Sequence, residues 1–483
     1  MITDKGAIHG EWAGKYAFFL AATGSAVGLG NLWKFPYVAG SSGGGSFILI
    51  YLLCLFLIGL PLMMAEIMLG RMGRQSPVNT LRRLAKVHGL SGSWKWLGVT
   101  GMLIAGLILS YYSVIGGWAF AYTVRAASGL FTGQTMDGVV SLFSRFASDP
   151  EHLLAWHTLF MLATVMVVSR GVKNGLELAV KWLMPALGII LIVLVVYAVK
   201  NADVNNAFAF LFHPDFSKIT PDVVLTAMGH AFFTLSLGMG AIMVYGSYIG
   251  QRSSICGLSI AIILTDTLVA ILAGLAIFPL VFSFQLEGVM IQSDPGLLFR
   301  IFPYVFGQMP AGTLMGTLFF ILLSIAALTS AISLLEPAVA WLVETRGMTR
   351  PRASAWAGFS VWFLGLGSML AFTGLTLRDM LTAVSVWLGH YDPGLENRFY
   401  DLSFFAMIDY LTAKFLLPVS GILIAIFSGW LLKAEVTRQE LSLPDWAYHC
   451  WRTLVRYVAP TAIFIVLLNA TGALMWLGRL INH

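Results

Sequence analysis

Charged side chains are scarce in this chain of 483 residues, of which Asp, Glu, Lys and Arg together make up only 11%. Soluble globular domains carry about 25% charged residues, so an ordinary soluble protein is excluded. Hydrophobic residues instead make up 58% of the chain, and the mean hydropathy is +0.82. This composition is typical of a polytopic membrane protein whose main partner is the lipid bilayer.

Cysteine and clustered histidine are also lacking. The three cysteines, Cys54, Cys256 and Cys450, lie in or beside different hydrophobic runs, so neither a disulfide nor a metal framework is indicated. The nine histidines are scattered, and the chain contains no H-E-x-x-H motif. No cluster of nucleophiles or metal ligands favours an enzyme, and we expect the chain not to be one.

Long hydrophobic runs are what the chain does have, and hydropathy predicts eleven membrane spans, numbered here in chain order. The first 15 residues lack the pattern of a signal peptide and are interpreted as a cytoplasmic tail. The predicted spans are 16–38, 46–70, 97–126, 153–169, 178–199, 223–249, 256–284, 312–343, 354–373, 405–432 and 456–478.

Lysine and arginine are distributed unevenly between the loops. With the N-terminus in the cytoplasm, most of the 29 basic residues fall on the cytoplasmic side, as the positive-inside rule requires. The formal net charge of +6 then reflects topology, and no nucleic-acid partner is expected. An odd number of spans places the C-terminus outside.

Spans 1 and 6 are interrupted near their middles by glycine-rich stretches, GSAVGLGN at 24–31 and TLSLGMGA at 234–241. Non-helical backbone at membrane depth is tolerated only where it lines a cavity or a ligand. A single G-x-G is more often a packing feature of membrane helices. Because the two breaks occupy matching places in two sets of five spans, they indicate the midplane binding site of a secondary transporter.

Five motifs resemble those of the neurotransmitter:sodium symporter family: AVGLGNLWKFP (26–36), GLPLMMAE (59–66), SYYSVIGGW (110–118), FFTLSLGMGA (232–241) and ALTSAISLLEP (327–337). They occur in the family's order across the first ten spans. The resemblance implies an all-α polytopic membrane protein, an inverted repeat of five plus five helices with helices 1 and 6 unwound, and an eleventh helix. The family's usual twelfth helix is missing, as in some bacterial members, so a bacterial plasma (inner) membrane is the expected location.

The resemblance also implies how the chain is divided. Residues 1–15 would form the cytoplasmic tail, 16–200 the first five-helix repeat, 201–435 the second repeat in inverted topology, and 436–483 a cytoplasmic linker with helix 11. A monomer or a weak dimer is expected.

Two co-transported sodium ions are implied by the resemblance, and unwound carbonyls and hydroxyls supply the oxygen ligands that sodium prefers. By themselves, Thr329 and Ser330 would more often be hydroxyls bonded back to their own helix. The first sodium site would comprise Ala26, Asn31, Thr234 and Asp266, together with the substrate carboxylate. The second would comprise Gly24, Val27, Ala326, Thr329 and Ser330.

An amino-acid substrate is implied by the same resemblance. The freed amides of Leu29 and Gly30 lie at a half-helix N-terminus, where the dipole favours an anion, so with the Tyr112 hydroxyl they would hold the carboxylate. The other substrate-binding residues would be Ser25, Ala26, Ile108, Phe233, Thr234, Ser236, Met239, Ser330 and Leu334. Because this set is mostly apolar and Met239 is flexible, hydrophobic L-amino acids from branched aliphatic to aromatic are expected.

Four acidic residues, Glu66, Asp266, Glu336 and Asp409, fall within predicted spans, where a charge is costly and therefore a functional candidate. Glu66 is expected to accept hydrogen bonds from amides of unwound helix 6, which is a structural role.

Two gates are implied by the resemblance. Lys34 and Asp409 would form the outer gate above Phe233. Near Trp12, His9 and Glu344 would form the inner gate, with His9 at a position where the family carries arginine.

Asp266 is the most informative departure from the family pattern. Chloride-dependent relatives carry asparagine there and a serine one turn later, where this chain has Ala270. A carboxylate at Asp266 would balance one sodium charge without an anion, because a buried excess charge is expensive. No chloride is therefore expected.

These features together predict a sodium-coupled symporter that imports hydrophobic L-amino acids by alternating access. A channel would need a continuous pore lined by rings of carbonyls or charges, and broken helices favour a single occluded site instead. Two alternatives stay open: a non-transporting amino-acid sensor of the same fold, and a symporter for another small amine or amino acid.

Overall fold

The structure is a computed structural model that describes residues 10–286, 288, 296–374, 403–471 and 473. The regular structure of these residues is helical, which confirms the predicted all-α class. Nine of their helices are long and apolar enough to cross a membrane, and they correspond to predicted spans 2 to 5 and 7 to 11. In chain order these nine helices are Gly45–Gly73, Gly92–Ala127, Pro150–Ser169, Val172–Asn201, Ile255–Ser283, Gly312–Arg346, Arg350–Phe372, Phe404–Leu431 and Asp445–Ala470.

Spans 1 and 6 are absent from that set because each is divided into shorter helices. Span 1 consists of Lys15–Ala26, a π-helical turn Gly30–Lys34, and Phe35–Ser41. Span 6 consists of Pro221–Thr234 and Ala241–Ser247. The nine continuous and two divided helices account for the eleven predicted spans.

The two breaks differ in backbone conformation. In span 1, Val27 is extended, with φ −72° and ψ 101°. In span 6, Ser236, Gly238 and Gly240 have positive φ angles of 53°, 80° and 74°. Glycine adopts such angles without a steric penalty, whereas serine is strained there. The G-x-G of span 6 is therefore a requirement of the local backbone.

Span 11 differs most from its predicted bounds. Its helix begins at Asp445, before the predicted start at 456, because the amphipathic segment Asp445–Thr453 continues through the π-helical turn Leu454–Val458 into Ala459–Ala470. The hydropathy window detects only the apolar part of this helix. The predicted end at 478 lies outside the described residues.

Close packing of span 2 against the second half of span 6 depends on two glycines. A Cβ on Gly70 would overlap the Met243 carbonyl oxygen, and a Cβ on Gly246 would lie 2.8 Å from the Ile67 carbonyl oxygen. Small residues allow the backbones of membrane helices to touch in this way.

The divided spans also contact spans 7 and 8, so both breaks lie inside the bundle. Shorter helices connect the spans at either end, and those described are Pro77–Val87, Met136–Ala147, Val204–Phe212, Leu297–Gln308 and Ala434–Leu441.

Candidate functional site

The break in span 1 faces a buried carboxylate on span 7. Asn31 Nδ2 donates to Asp266 Oδ1 at 2.8 Å, and Thr234 Oγ1 lies 3.4 Å from Asp266 Oδ2. Asn31 in turn accepts the Gly28 amide at 3.1 Å. Asn31 and Asp266 are completely buried and Thr234 is nearly so. The structure thus brings together the side-chain ligands predicted for the first sodium ion, and Ala26, the last residue of its helix, adjoins the break.

Tyr51 on span 2 also reaches this cluster. Its hydroxyl donates to Asp266 Oδ2 at 3.4 Å, and the side chain is fully buried. Tyr51 lies outside the five motifs and was not among the predicted site residues. The only available signal was its polar hydroxyl in an otherwise apolar run.

The residues predicted for the second sodium ion meet where span 8 crosses span 1. Ser330 Oγ donates to the Gly24 carbonyl at 3.4 Å, and a Cβ on Gly24 would lie 3.3 Å from Thr329 Cβ. The Thr329 hydroxyl bonds back to the carbonyls of Ile325 and Ala326, each at 3.1 Å. Carbonyl oxygens of spans 1 and 8 and hydroxyls of span 8 therefore lie close together at this crossing. Val27, which follows in span 1, lies in the break.

Backbone amides bonded to side chains and open space occur together at the break. The Leu29 amide donates to the Tyr112 hydroxyl at 3.3 Å. A Cβ on Gly28 would lie 2.5 Å from Ser330 Oγ and 3.1 Å from Tyr112 Oη, whereas a Cβ on Gly30 would meet no atom within 4 Å. Open space therefore adjoins Gly30, close to the Leu29 amide and the Tyr112 hydroxyl.

The predicted side-chain pocket residues lie on spans 3, 6 and 8. Ile108, Met239, Leu334 and Ser236 are all buried, and Phe233 is half-buried. Four of these five side chains are apolar, so the surroundings offer hydrocarbon contact rather than hydrogen bonds.

A chain of serine hydroxyls links both breaks to span 8. Ser25 Oγ donates to Ser333 Oγ at 2.8 Å, and Ser333 Oγ donates to the Ser330 carbonyl at 2.8 Å. Ser236 Oγ donates to the Ser25 carbonyl at 2.9 Å. The sequence analysis missed Ser333, although its i, i+3 spacing from Ser330 places both on one helix face.

Glu66 contacts the break in span 6. Its Oε1 accepts the Gly238 amide at 2.6 Å, while the Gly238 carbonyl accepts from Ser420 Oγ at 2.8 Å. Both polar groups of this non-helical residue therefore have partners, as buried backbone requires. This contact accords with the structural role expected for Glu66.

At the predicted outer gate, the Lys34 ammonium lies 4.1 Å from the centroid of the Phe233 ring. Asp409 accepts a hydrogen bond from the Tyr111 hydroxyl at 3.3 Å. In the described part of the chain, no ion pair within 4.0 Å joins Lys34 to Asp409. The Lys34 ammonium sits over the face of the Phe233 ring in a cation–π contact, and the pairing of Lys34 with Asp409 stays a prediction.

At the opposite end of the bundle, Trp12 is docked beneath span 6. Its Nε1 donates to the Tyr245 carbonyl at 3.1 Å, and its backbone amide donates to the Tyr248 carbonyl at 3.0 Å. Glu344 accepts from Ser76 N and from Asn79 Nδ2, both at 2.7 Å. The predicted partner His9 lies outside the described residues.

Glu336, the remaining acidic residue within the spans, forms a buried ion pair with Arg350 at this same end. The Tyr248 hydroxyl donates to Glu336 Oε1 at 2.7 Å. Because Tyr248 also accepts the Trp12 amide, the docked tail is connected to the ion pair through one tyrosine.

Comparison with known proteins places this geometry in a family. The model of the sodium:neurotransmitter symporter family matches residues 9–134 and 146–388. An uncharacterized sodium-dependent transporter of Bacillus subtilis is 35% identical over 468 residues, which is 96% of this chain and 98% of the relative. A second such transporter, of Haemophilus influenzae, is 31% identical and covers 95% of this chain and 97% of its own.

A solved structure gives the same result. The crystal structure of MhsT in complex with L-phenylalanine superimposes with a TM-score of 0.82 at 38% identity, and the match covers 95% of this chain and 99% of that one. The resemblance inferred from five motifs is confirmed by these matches. The chain belongs to the sodium:neurotransmitter symporter family.

Proposed function

We propose that this protein couples the inward movement of sodium to the import of hydrophobic L-amino acids, without chloride, by alternating access. The observation that carries the proposal is the convergence of Asn31 and Thr234 on the buried carboxylate of Asp266. Membership of the family supports the part of the proposal that concerns sodium-dependent symport. Charge balance supports transport without chloride, and the chemistry of the pocket supports a hydrophobic amino acid as the substrate.

Charge balance favours two sodium ions without chloride. Two sodium ions and a substrate ammonium bring three positive charges against one substrate carboxylate, and Asp266 would cancel one of the excess charges. A buried excess charge is costly, so the fixed carboxylate makes an anion unnecessary. Ala270, one turn later, offers no hydroxyl to an anion.

Pocket chemistry favours a hydrophobic guest. Ile108, Met239 and Leu334 present apolar surface, and the Leu29 amide and the Tyr112 hydroxyl are placed for a carboxylate. The relative MhsT crystallised with L-phenylalanine, which supports an aromatic amino acid among the substrates here.

The orientation in the membrane and the energy source for transport are the last two parts of the proposal. The N-terminus is proposed to lie in the cytoplasm of a bacterial cell and the C-terminus outside, with repeats at 16–200 and 201–435 and a monomer or weak dimer as the working unit. Each sodium charge moved inward gains about 2.3 kcal/mol per 100 mV of membrane potential. Helices 1, 2, 6 and 7 would rock against the remainder.

Uptake into proteoliposomes tests the proposal. Labelled L-phenylalanine and L-leucine should accumulate saturably with an inward sodium gradient, equally in chloride and gluconate, and should not accumulate with potassium. Asn31→Ala should abolish accumulation, and Asn174→Ala, at an exposed site outside the breaks, should not.

The two alternatives give different outcomes in the same preparation. A sensor of this fold would bind labelled amino acid with sodium but show no accumulation. A symporter for another amine would accumulate neither amino acid yet would do so when offered its own substrate. Uptake that falls when gluconate replaces chloride would contradict the chloride-independent part of the proposal.

A further inference from the structure

A groove opens on the outer surface of the bundle between spans 4 and 9. It encloses about 340 Å³ and is lined chiefly by Met161, Leu162, Val165, Ala355, Phe359 and Trp362. Leu162 and Phe359 are 58% and 56% exposed, so the groove is open to the surroundings of the protein. At membrane depth those surroundings are lipid hydrocarbon.

The walls of the groove are fixed by packing. A Cβ on Gly358 would overlap Val165 Cγ2, so the two helices touch at the floor. Trp362 Nε1 donates to Thr158 Oγ1 at 2.9 Å, and the Trp362 ring stacks on His157 with an interplanar angle of 5°. The two polar side chains of the lining satisfy each other, which leaves an apolar surface.

The groove lies within the depth of one leaflet of a bilayer. The helix of span 4 ends at Ser169. With a rise of about 1.5 Å per residue, Val165 lies roughly 6 Å and Thr158 roughly 16 Å from that end. Half of a hydrocarbon core about 30 Å thick is about 15 Å. The lining from Thr158 to Val165 therefore spans about 10 Å and lies within the depth that one acyl chain occupies.

Two basic residues stand at the end of the groove where the leaflet meets water. Arg170 directly follows span 4, and Arg352 lies in the first turn of span 9, three residues before Ala355 and on the same face. Arg350 Nε donates to the Val168 carbonyl at 2.9 Å, which holds these two helix ends side by side.

The charges of Arg170 and Arg352 are not compensated within the described structure. Both side chains are exposed, and no ion pair or hydrogen bond of either is found among the described residues. Glu336, the partner of the neighbouring Arg350, is buried and engaged in that ion pair. No Asp or Glu occurs from 152 to 176 or from 350 to 372.

We propose that this groove binds an anionic phospholipid, with one acyl chain between spans 4 and 9 and the phosphate held by Arg170 and Arg352. The leaflet is the one at the Trp12 end of the bundle. Basic pockets between membrane helices favour anionic headgroups, and here the apolar groove and the free cations are continuous.

Native mass spectrometry of the full chain in detergent tests the proposal, with phosphatidylglycerol and phosphatidylcholine of identical acyl chains as probes. Phosphatidylglycerol should bind more tightly. Arg170→Gln and Arg352→Gln should each weaken its binding about fivefold and leave phosphatidylcholine unchanged. Ala355→Phe, which fills the groove, should weaken both lipids.

Matched controls are available elsewhere on the surface. Arg252→Gln removes an exposed arginine before span 7, and Leu264→Phe enlarges a lipid-facing side chain that is 54% exposed. Neither should change lipid binding, and thermal unfolding curves should show that all variants are folded.

Two results would overturn the proposal. One is that phosphatidylglycerol and phosphatidylcholine bind with equal affinity and that neither arginine variant changes that affinity. The other is a dimer that Ala355→Phe converts to monomer while lipid binding is unchanged, because the groove would then be an interface between copies. Neither result depends on sodium or amino-acid uptake.

Discussion

Asp266 is the residue on which the charge of the buried site depends. Asn31 donates to it at 2.8 Å, and Tyr51 and Thr234 both approach its Oδ2 at 3.4 Å. All three neighbours are neutral. Their hydrogen-bond donors can orient the carboxylate, but none can replace its negative charge when cations enter.

Replacing this carboxylate should create a need for chloride only when a second residue is changed. Asp266→Asn alone should weaken sodium binding by about 3 kcal/mol, roughly a hundredfold, because the ion loses its charged ligand. Asp266→Asn with Ala270→Ser should recover uptake in chloride but not in gluconate. Ala270→Ser alone is the control and should transport in both. Equal uptake by the double variant in both anions would contradict this prediction.

The serine chain offers a second test at the residue scale. Ser25→Ala and Ser333→Ala each remove one end of the same 2.8 Å hydrogen bond, so each should cost about 1 kcal/mol of stability. The double variant should cost little more than either single change, because the lost interaction is shared. Thermal unfolding in detergent measures this coupling, and fully additive losses would show that the two hydroxyls act independently.

At the scale of the element, the break in span 6 depends on positive φ angles. Gly238→Ala would force an alanine to φ 80° and bring its Cβ to 3.3 Å from the Leu417 carbonyl oxygen. We expect a loss of at least about 1 kcal/mol in stability and a fall in uptake. Gly188→Ala is a matched control in span 5, where a Cβ meets no atom within 4 Å and helix propensity favours alanine by up to about 1 kcal/mol. Equal unfolding temperatures for both variants would contradict the expectation.

The sequence predicted the elements better than their contacts. Hydropathy located the spans, and the G-x-G stretches located both breaks because the two stretches occupy matching places in two sets of five spans. The early start of span 11 was missed because Asp445–Thr453 is amphipathic and lowers the hydropathy of the window. The family resemblance, carried over residue by residue, predicted Asn31, Thr234 and Asp266 as neighbours.

Contacts between helices distant in sequence were not predictable in the same way. Tyr51 and Ser333 belong to no glycine break and carry no charge. Their local signals, a hydroxyl in an apolar run for Tyr51 and an i, i+3 spacing from Ser330 for Ser333, do not identify the distant partner of either residue. Lys34 was expected to pair with Asp409, and its actual position over Phe233 depends on side-chain packing that a single sequence does not encode locally.

At the scale of the whole molecule, the docked tail closes one end of the bundle. Trp12 is only 6% exposed and contacts the Tyr245 and Tyr248 rings edge-on at 5.4 and 6.0 Å. Trp12→Ala removes a large buried ring, a change that typically costs 3–5 kcal/mol in a protein core. The population of states with this end open should therefore rise.

Hydrogen exchange measures that opening. Amides of Ala241–Ser247 should exchange faster in Trp12→Ala, and sodium-driven uptake should fall because this end no longer stays closed. Tyr16→Ala is the control, since Tyr16 is 64% exposed and should leave the exchange unchanged. Unchanged exchange at 241–247 in Trp12→Ala would show that the tail does not hold this end shut.

The glycine contact between spans 2 and 6 has a mechanical consequence. At Gly70 and Gly246 the two backbones touch without side chains between them, and we expect these closely packed segments to move together. The first half of span 6, Pro221–Thr234, is separated from this contact by the residues with positive φ and packs against the first half of span 2. We therefore expect residues 235–240 to act as a hinge. A rotation of a few degrees about this hinge would produce a larger movement of Trp12, because Trp12 is bonded to Tyr245 and Tyr248 at the far end of the second half of span 6.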